Sequence, residues 1–166
     1  MSLHEISIDE LKLNPFDEIS KNWFLVTSGD KNSYNTMTAS WGFMGEMWGK
    51  HVFETVVRHN RYTFGFMEKN DLFTISFFPE ERHDVVKFCG AHSGRDCDKT
   101  KEAGLTPVFL DGTTAFEEAE LVFVCKKVYS ADFDFEKISD EDKTKWYSKD
   151  PVHRQYFGEI LKVYTK

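Results

Sequence analysis

The sharpest pattern in the chain is an alternation from Asp71 to Phe77, where Phe73, Ile75 and Phe77 oppose Leu72, Thr74 and Ser76. That two-residue period predicts a β-strand. Trp23 to Ser28 alternates too, Trp23, Leu25 and Thr27 against Phe24, Val26 and Ser28, with enough apolar residues on each side to predict burial of both faces. His51 to Arg58 is a further strand, with Val52 and Val56 on one face and Phe53, Thr55 and Val57 on the other. Leu121 to Tyr129 sets Leu121, Phe123 and Cys125 against Val122, Val124 and Val128, and Phe157 to Tyr164 reads as the last strand. Asp111-Gly112 marks a hairpin between Val108–Leu110 and Thr113–Phe116.

Helical spacing fills the intervals. After a polar opening to Leu13, Pro15 opens a short helix behind Asn14 as its cap. Asn60 is the expected cap of a helix from Arg61 to about Lys69, with Tyr62 and Phe66 on one face. Gly65 inside it costs about 1 kcal/mol of propensity, which calls for a packing or functional reason. Pro79-Glu80-Glu81 starts a helix with Val85, Val86 and Cys89 as its buried stripe and Gly90 at its end; another, short, runs from Cys97 or Asp98 to Ala103 before Gly104. Ser130 to Asp150 is acidic and reads as partly helical surface. No repeat, heptad or low-complexity tract is present. The sum is a mainly β, antiparallel single domain over residues 1–166, with helices inserted between strands and the sheet closed into a barrel to avoid open edges.

One stretch fits neither period. Asn35 to Lys50 mixes short polar side chains (Asn35, Thr36, Thr38, Ser40) with Met37, Ala39, glycines at 42, 45 and 49, and the tryptophans Trp41 and Trp48. Its first half, Thr36 to Trp41, suits an extended chain. The mixture reads as a ligand-cradling edge: small residues admit a planar ligand to the backbone, and the tryptophans are either core residues or walls for a planar ring.

Charge narrows the ligand. A net charge of −7 and a pI near 5.4 argue against a nucleic acid or an anionic membrane as partner, so any anion must be gripped locally. Arg58-His59-Asn60-Arg61-Tyr62-Thr63 gathers two guanidinium groups and a hydroxyl at a helix start, which reads as a phosphate anchor or as a solvated turn paired with nearby carboxylates. Ser93-Gly94-Arg95-Asp96-Cys97-Asp98-Lys99 repeats the theme and either completes such a site or merely caps a helix.

Other chemistry finds little support. Cys89, His92 and Cys97 lie close together, but no fourth ligand is paired with them by spacing, and no metal site is expected. G-x-S-x-G, G-x-G-x-x-G and Walker loops are absent. His153 reads as a surface histidine or as a polar group reaching a neighbouring site. Three cysteines, the lack of a signal-like N-terminus and the lack of an apolar run of about 20 residues point to a reducing, cytoplasmic setting without membrane insertion.

Taken in order, Asn35 to Trp41, the Trp48-Gly49-Lys50 turn, Arg58 to Thr63, Phe88-Cys89-Gly90, Ser93 to Lys99 and the closing His153 to Val163 with Gly158-Glu159-Ile160 resemble the flavin reductase-like family, its flavoredoxin-type members in particular. The resemblance covers nearly the whole chain. It implies an FMN-binding split β-barrel of Greek-key type that forms a homodimer with flavin near the interface. It further implies that Asn35, Thr36, Met37, Thr38, Ala39, Ser40 and Trp41 line the isoalloxazine, and that Arg58, Asn60, Arg61 and Thr63 hold the phosphate with help from Ser93, Arg95 and Lys99. Trp48 and His153 are candidate contacts for nicotinamide or acceptor. His59 departs from the family's pattern, where relatives commonly carry proline, which implies a less rigid loop.

The implied activity is electron passage from NADH or NADPH through bound FMN to free flavin or another acceptor, with no residue singled out as catalytic because the flavin ring carries the chemistry. The alternatives are an electron carrier serving a partner protein without appreciable NAD(P)H activity, and a barrel that has lost its cofactor.

Overall fold

The computed structural model describes residues 2–166. A short strand β1 (His4–Ile6) precedes the helical turn α1 (Pro15–Asp17), where Asn14 caps the Phe16 amide at 3.1 Å as its sequence implied. Strands β2 (Phe24–Gly29), β3 (Tyr34–Ala39), β4 (Gly42–Met47) and β5 (Lys50–Arg58) follow, then helix α2 (Tyr62–Lys69) and β6 (Leu72–Phe77). Helices α3 (His83–Ala91) and α4 (Lys99–Glu102) lead to the hairpin β7 (Pro107–Leu110) and β8 (Thr113–Phe116), then β9 (Leu121–Asp132), α5 (Asp140–Trp146) and β10 (His153–Thr165).

All pairings are antiparallel, and the main sheet runs β3-β2-β6-β9-β10-β5-β4, with β1 added to the far end of β10. The two ends of that path, β3 and β4, are joined by only Ser40 and Trp41, so the sheet must curl until its edges meet. Inward-facing side chains then fill a single core: Phe24, Val26, Phe53, Val57, Phe73, Ile75, Phe77, Phe123, Cys125, Tyr156 and Val163. Phe24, Phe53, Phe77 and Phe123 touch one another with ring centroids 5.4 to 6.3 Å apart, contacts worth about 0.5–1.5 kcal/mol each beyond area burial. The result is the expected mainly β, antiparallel split barrel.

A second core lies outside the barrel. Leu25 and Val122, on the opposite face of β2 and β9, pack with Val85, Val86 and Cys89 of α3 and with Ala115 and Phe116 of β8. The double-sided burial expected of β2 follows from this: every residue from Phe24 to Gly29 is buried.

Several boundaries move. Trp23 is not in β2; with φ 59° it closes the turn before the strand and its ring lies 5.5 Å from His83. The second half of the central stretch is itself a strand, β4, turned into β5 by Trp48 (φ 56°) and Gly49 (φ 69°). Asn60 does not cap α2: the capping position is Arg61, and no side chain bonds the first-turn amides. Helix α3 runs through Gly90 to Ala91, after a separate 3-10 turn at Glu80–Arg82. Strand β10 begins at His153, ahead of the expected Phe157, because it pairs with Arg58 and Asp132 as soon as the 147–152 segment ends. At Gly65 a Cβ would meet nothing, so packing does not explain that glycine. Among the described residues no helix is long and apolar enough to cross a membrane.

Candidate functional site

A cavity of about 440 Å³ opens at the seam where β3 meets β5, of the size that accepts a cofactor. Its floor is β3 with Ser40 and Trp41: Asn35, Met37, Thr38 and Ala39 all line it. Thr38 Oγ1 donates to the Val86 carbonyl at 2.6 Å, which ties this strand to α3. Asn35 Nδ2 donates to Thr63 Oγ1 at 2.7 Å, which ties it to the start of α2 and leaves the Thr63 hydroxyl proton available to an acceptor. Thr36 is different. Its hydroxyl packs into the barrel wall, 2.8 Å from Thr27 Oγ1, and it does not line this cavity.

One end of the cavity is built for an anion. Arg61, Tyr62 and Thr63, the uncapped N-terminus of α2, all face it, so amides without intrahelical partners and the positive end of the helix point the same way. The Arg61 side chain makes no ion pair or hydrogen bond among the described residues. Ser93, Gly94, Arg95 and Lys99 reach the same end. Arg95 Nη1 donates to the Asn60 carbonyl at 3.1 Å and its guanidinium lies over the Tyr62 ring at 5.2 Å, so the two basic clusters of the sequence become one. Gly94 is obligatory: a Cβ there would stand 2.1 Å from Asn35 Oδ1 and 2.9 Å from the Tyr62 ring.

Lys99 is buried, and burial pushes its pKa below the ordinary lysine value. Its ammonium donates to the carbonyls of Thr36 at 3.0 Å and Cys89 at 2.8 Å, which leaves one of its three protons for a further acceptor. Arg58 lines the cavity too, but its guanidinium is committed to the carbonyls of Pro151 (2.8 Å) and Trp146 (3.0 Å) and lies over Tyr147. It holds down the segment between α5 and β10.

That segment walls the other end. Trp146 meets Trp41 edge to face at 4.8 Å, and His153 lies 5.1 Å from Trp41. His153 is not a surface histidine: it is 8% exposed, with Tyr147 Oη 2.8 Å from Nδ1. Burial first, then Arg58 and Arg61, pushes its pKa down to about 4, so the ring is neutral at neutral pH. Trp146 and Tyr147 were missed in a run read as acidic surface; two adjacent aromatics inside that run were the available signal.

The buried histidine has a consequence for stability. The unfolded side chain takes a proton near pH 6.5 and the folded one only near 4, so its neutral burial costs nothing above pH 6.5 and destabilises progressively as pH falls toward 4. Glu54, buried and pushed up to about 7, acts in the opposite sense: it favours folding below about pH 4.5, and that contribution is lost as pH rises through 7. The two windows overlap, so the difference between proteins is the measurable quantity. His153→Phe is expected to gain up to about 3 kcal/mol on the wild type between pH 7 and pH 4 in urea unfolding. A constant difference across that range would show that His153 titrates normally.

Trp48 stands away from the cavity. It is 61% exposed on the β4–β5 turn, where its ring meets Tyr129 and Phe157. With Phe43, these side chains form an aromatic face outside the barrel, beside Glu54, which is buried and has no side-chain partner among the described residues. Among the described residues no three His, Cys, Asp or Glu side chains gather as a metal-binding group; Cys89 is buried in α3 and His92 stacks on Phe88.

Comparison with known proteins places this arrangement. Similar folds include flavoredoxin of Desulfovibrio vulgaris (Miyazaki F), with a TM-score of 0.69, 22% identity, and coverage of 98% of this chain and 77% of that one. Flavoredoxin from Methanosarcina acetivorans gives a TM-score of 0.70 at 18% identity, covering 94% of this chain and 75% of that one. An FMN-binding domain of a flavin reductases-like enzyme from Shewanella baltica OS155 gives 0.69 at 12% identity, covering 98% and 76%. No curated protein matches. At these identities the structures speak for the fold, whereas the sequence model of the flavin reductase like domain matches residues 16–166. The chain therefore belongs to the flavin reductase-like family.

Proposed function

We propose that this chain binds FMN in the seam cavity and passes electrons from NADH or NADPH through it to free flavin or another acceptor. The observation that carries the reading is the polarity of the cavity. Its Arg61, Arg95 and Lys99 end, with an uncapped helix N-terminus, suits a dianionic phosphate, while Trp41, Trp146 and the neutral His153 close an aromatic end suited to a flat ring. Bound FMN would supply a ring able to accept a hydride from reduced nicotinamide and release the electrons singly or in pairs. The protein's part is to seat that ring against the β3 backbone, exclude water with the 146–153 segment, and hold the phosphate far from the reacting edge.

The flavoredoxins among the similar structures keep the carrier alternative open to the same test, as does a second copy of this chain for the aromatic face. Phe43 and Phe157, with Trp48 and Tyr129 beside them, flank a Glu54 that has no side-chain partner among the described residues, and Val56, two positions along the same face of β5, lines the cavity. A homodimer packed on this face would bring its interface to the flavin's edge. All three cysteines are free thiols, which suits the cytoplasm.

The protein is mixed with FMN, desalted, and its visible spectrum followed anaerobically after NADH or NADPH. Retained yellow that bleaches within seconds is the expected result. Yellow that persists assigns the carrier role, and no retained flavin removes FMN as resident cofactor. Sedimentation of the same sample as a monomer would remove the homodimer.

A further inference from the structure

The turn that delivers Asn60 and Arg61 to the cavity is held from its far side. Its backbone is closed by the Arg61 N–H donating to the Arg58 carbonyl at 3.0 Å, and His59 occupies its second position. His59 does not line the cavity. Its ring stacks on Phe64 at 4.4 Å, and Nε2 donates to the ionised Asp132 at 2.8 Å. Asp132 also accepts from Arg154 Nε at 2.8 Å; Arg154 Nη1 reaches Glu68 on α2 at 2.7 Å, and the Tyr156 hydroxyl donates to that same carboxylate at 2.6 Å.

These bonds run from β9 and β10 to both the turn and the helix behind it. Arg154 serves two carboxylates, so one side chain's ordering supports several bonds, unlike an isolated surface pair. Proton binding at Asp132 is correspondingly disfavoured, first by Arg154 and then by His59. On the cavity side, the tip of the turn is held by Arg95 at the Asn60 carbonyl.

We propose that His59 is a positioning residue: through Asp132 and Arg154 it sets the Arg58–Arg61 turn so that Asn60 and Arg61 meet the phosphate of a bound flavin. The proposal rests on the FMN reading above. It predicts an effect specific to the phosphate, because the isoalloxazine floor on β3 is tied to α3 and α2 by other bonds.

The test compares FMN with riboflavin, which lacks the phosphate, by titration against wild type, His59→Ala, Asp132→Ala and His59→Pro. His59→Ala should weaken FMN about tenfold and leave riboflavin within twofold. Asp132→Ala should do the same, and the double variant should add little. His59→Pro should restore FMN affinity, since proline presets the second position of such a turn, Arg58 before it is extended, and the His59 amide donates to no backbone carbonyl among the described residues. A His59→Ala protein that binds both flavins as the wild type does, or loses both equally, overturns the proposal. So does His59→Pro behaving like His59→Ala. A wild type that fails to prefer FMN over riboflavin overturns the phosphate reading of the cavity, and this proposal with it.

Discussion

Arg61→Ala should raise the dissociation constant for FMN about 30-fold, a loss of about 2 kcal/mol. Among the cations at the anion-binding end of the cavity, the others are already engaged. Arg58 already spends its guanidinium on the carbonyls of Trp146 and Pro151, Arg95 is committed to the Asn60 carbonyl, and Lys99 spends two of its three donors on Thr36 and Cys89. Among the described residues the Arg61 fork has no partner, and it stands at the capping position of a helix whose first amides no side chain there satisfies. A charge-assisted, bidentate contact there adds to the field of the helix end. Titration of FMN fluorescence reads the change directly. Riboflavin binding, without a phosphate, should move much less, and an unchanged FMN constant would remove Arg61 from the site. Arg58→Ala should instead loosen the 146–153 segment.

Gly158→Ala should destabilise the fold by about 3 kcal/mol. A Cβ at this position of β10 would lie 2.4 Å from Phe73 Cζ and 2.7 Å from Cys125 Cβ, both fully buried in the barrel. Phe73 and Cys125 are cross-strand partners on β6 and β9, so neither can withdraw without disturbing the ladder. Overpacking of this kind costs about 1–3 kcal/mol in a closed core, and here two buried groups must give way at once. The register shift between Phe157 and Gly158 shows the strand already bending at this point. Urea unfolding followed by tryptophan fluorescence should show the midpoint fall with an unchanged slope; an unmoved midpoint would mean that Phe73 finds another rotamer.

Much of the fold was legible in the chain because its determinants are local. Alternation in Leu72–Phe77 located β6, Asp111-Gly112 located the hairpin, with φ of 51° and 89° at those residues, and Asn14 located its own cap. Apolar positions at strand spacing need no knowledge of their neighbours to declare themselves. Boundaries moved where a distant partner decided them: β10 starts at His153 because Arg58 and Asp132 pair with it, and Asn60 lost its capping role when the Arg58–Arg61 turn closed on itself.

The candidate site divides the same way. By itself the sequence determined the barrel class, the small polar lining of β3 and the two basic clusters, since these depend on residue type and order. Only the tertiary structure decided which of those groups are free. It joined Arg95 to the Asn60 carbonyl, committed Arg58 to the 146–153 segment, turned Thr36 into the wall, buried His153 against Trp41 and carried Trp48 to an outer face. The physical reason is that availability and burial are set by whatever packs alongside. Those neighbours come from strands and helices far away in the chain, and residue order does not record them.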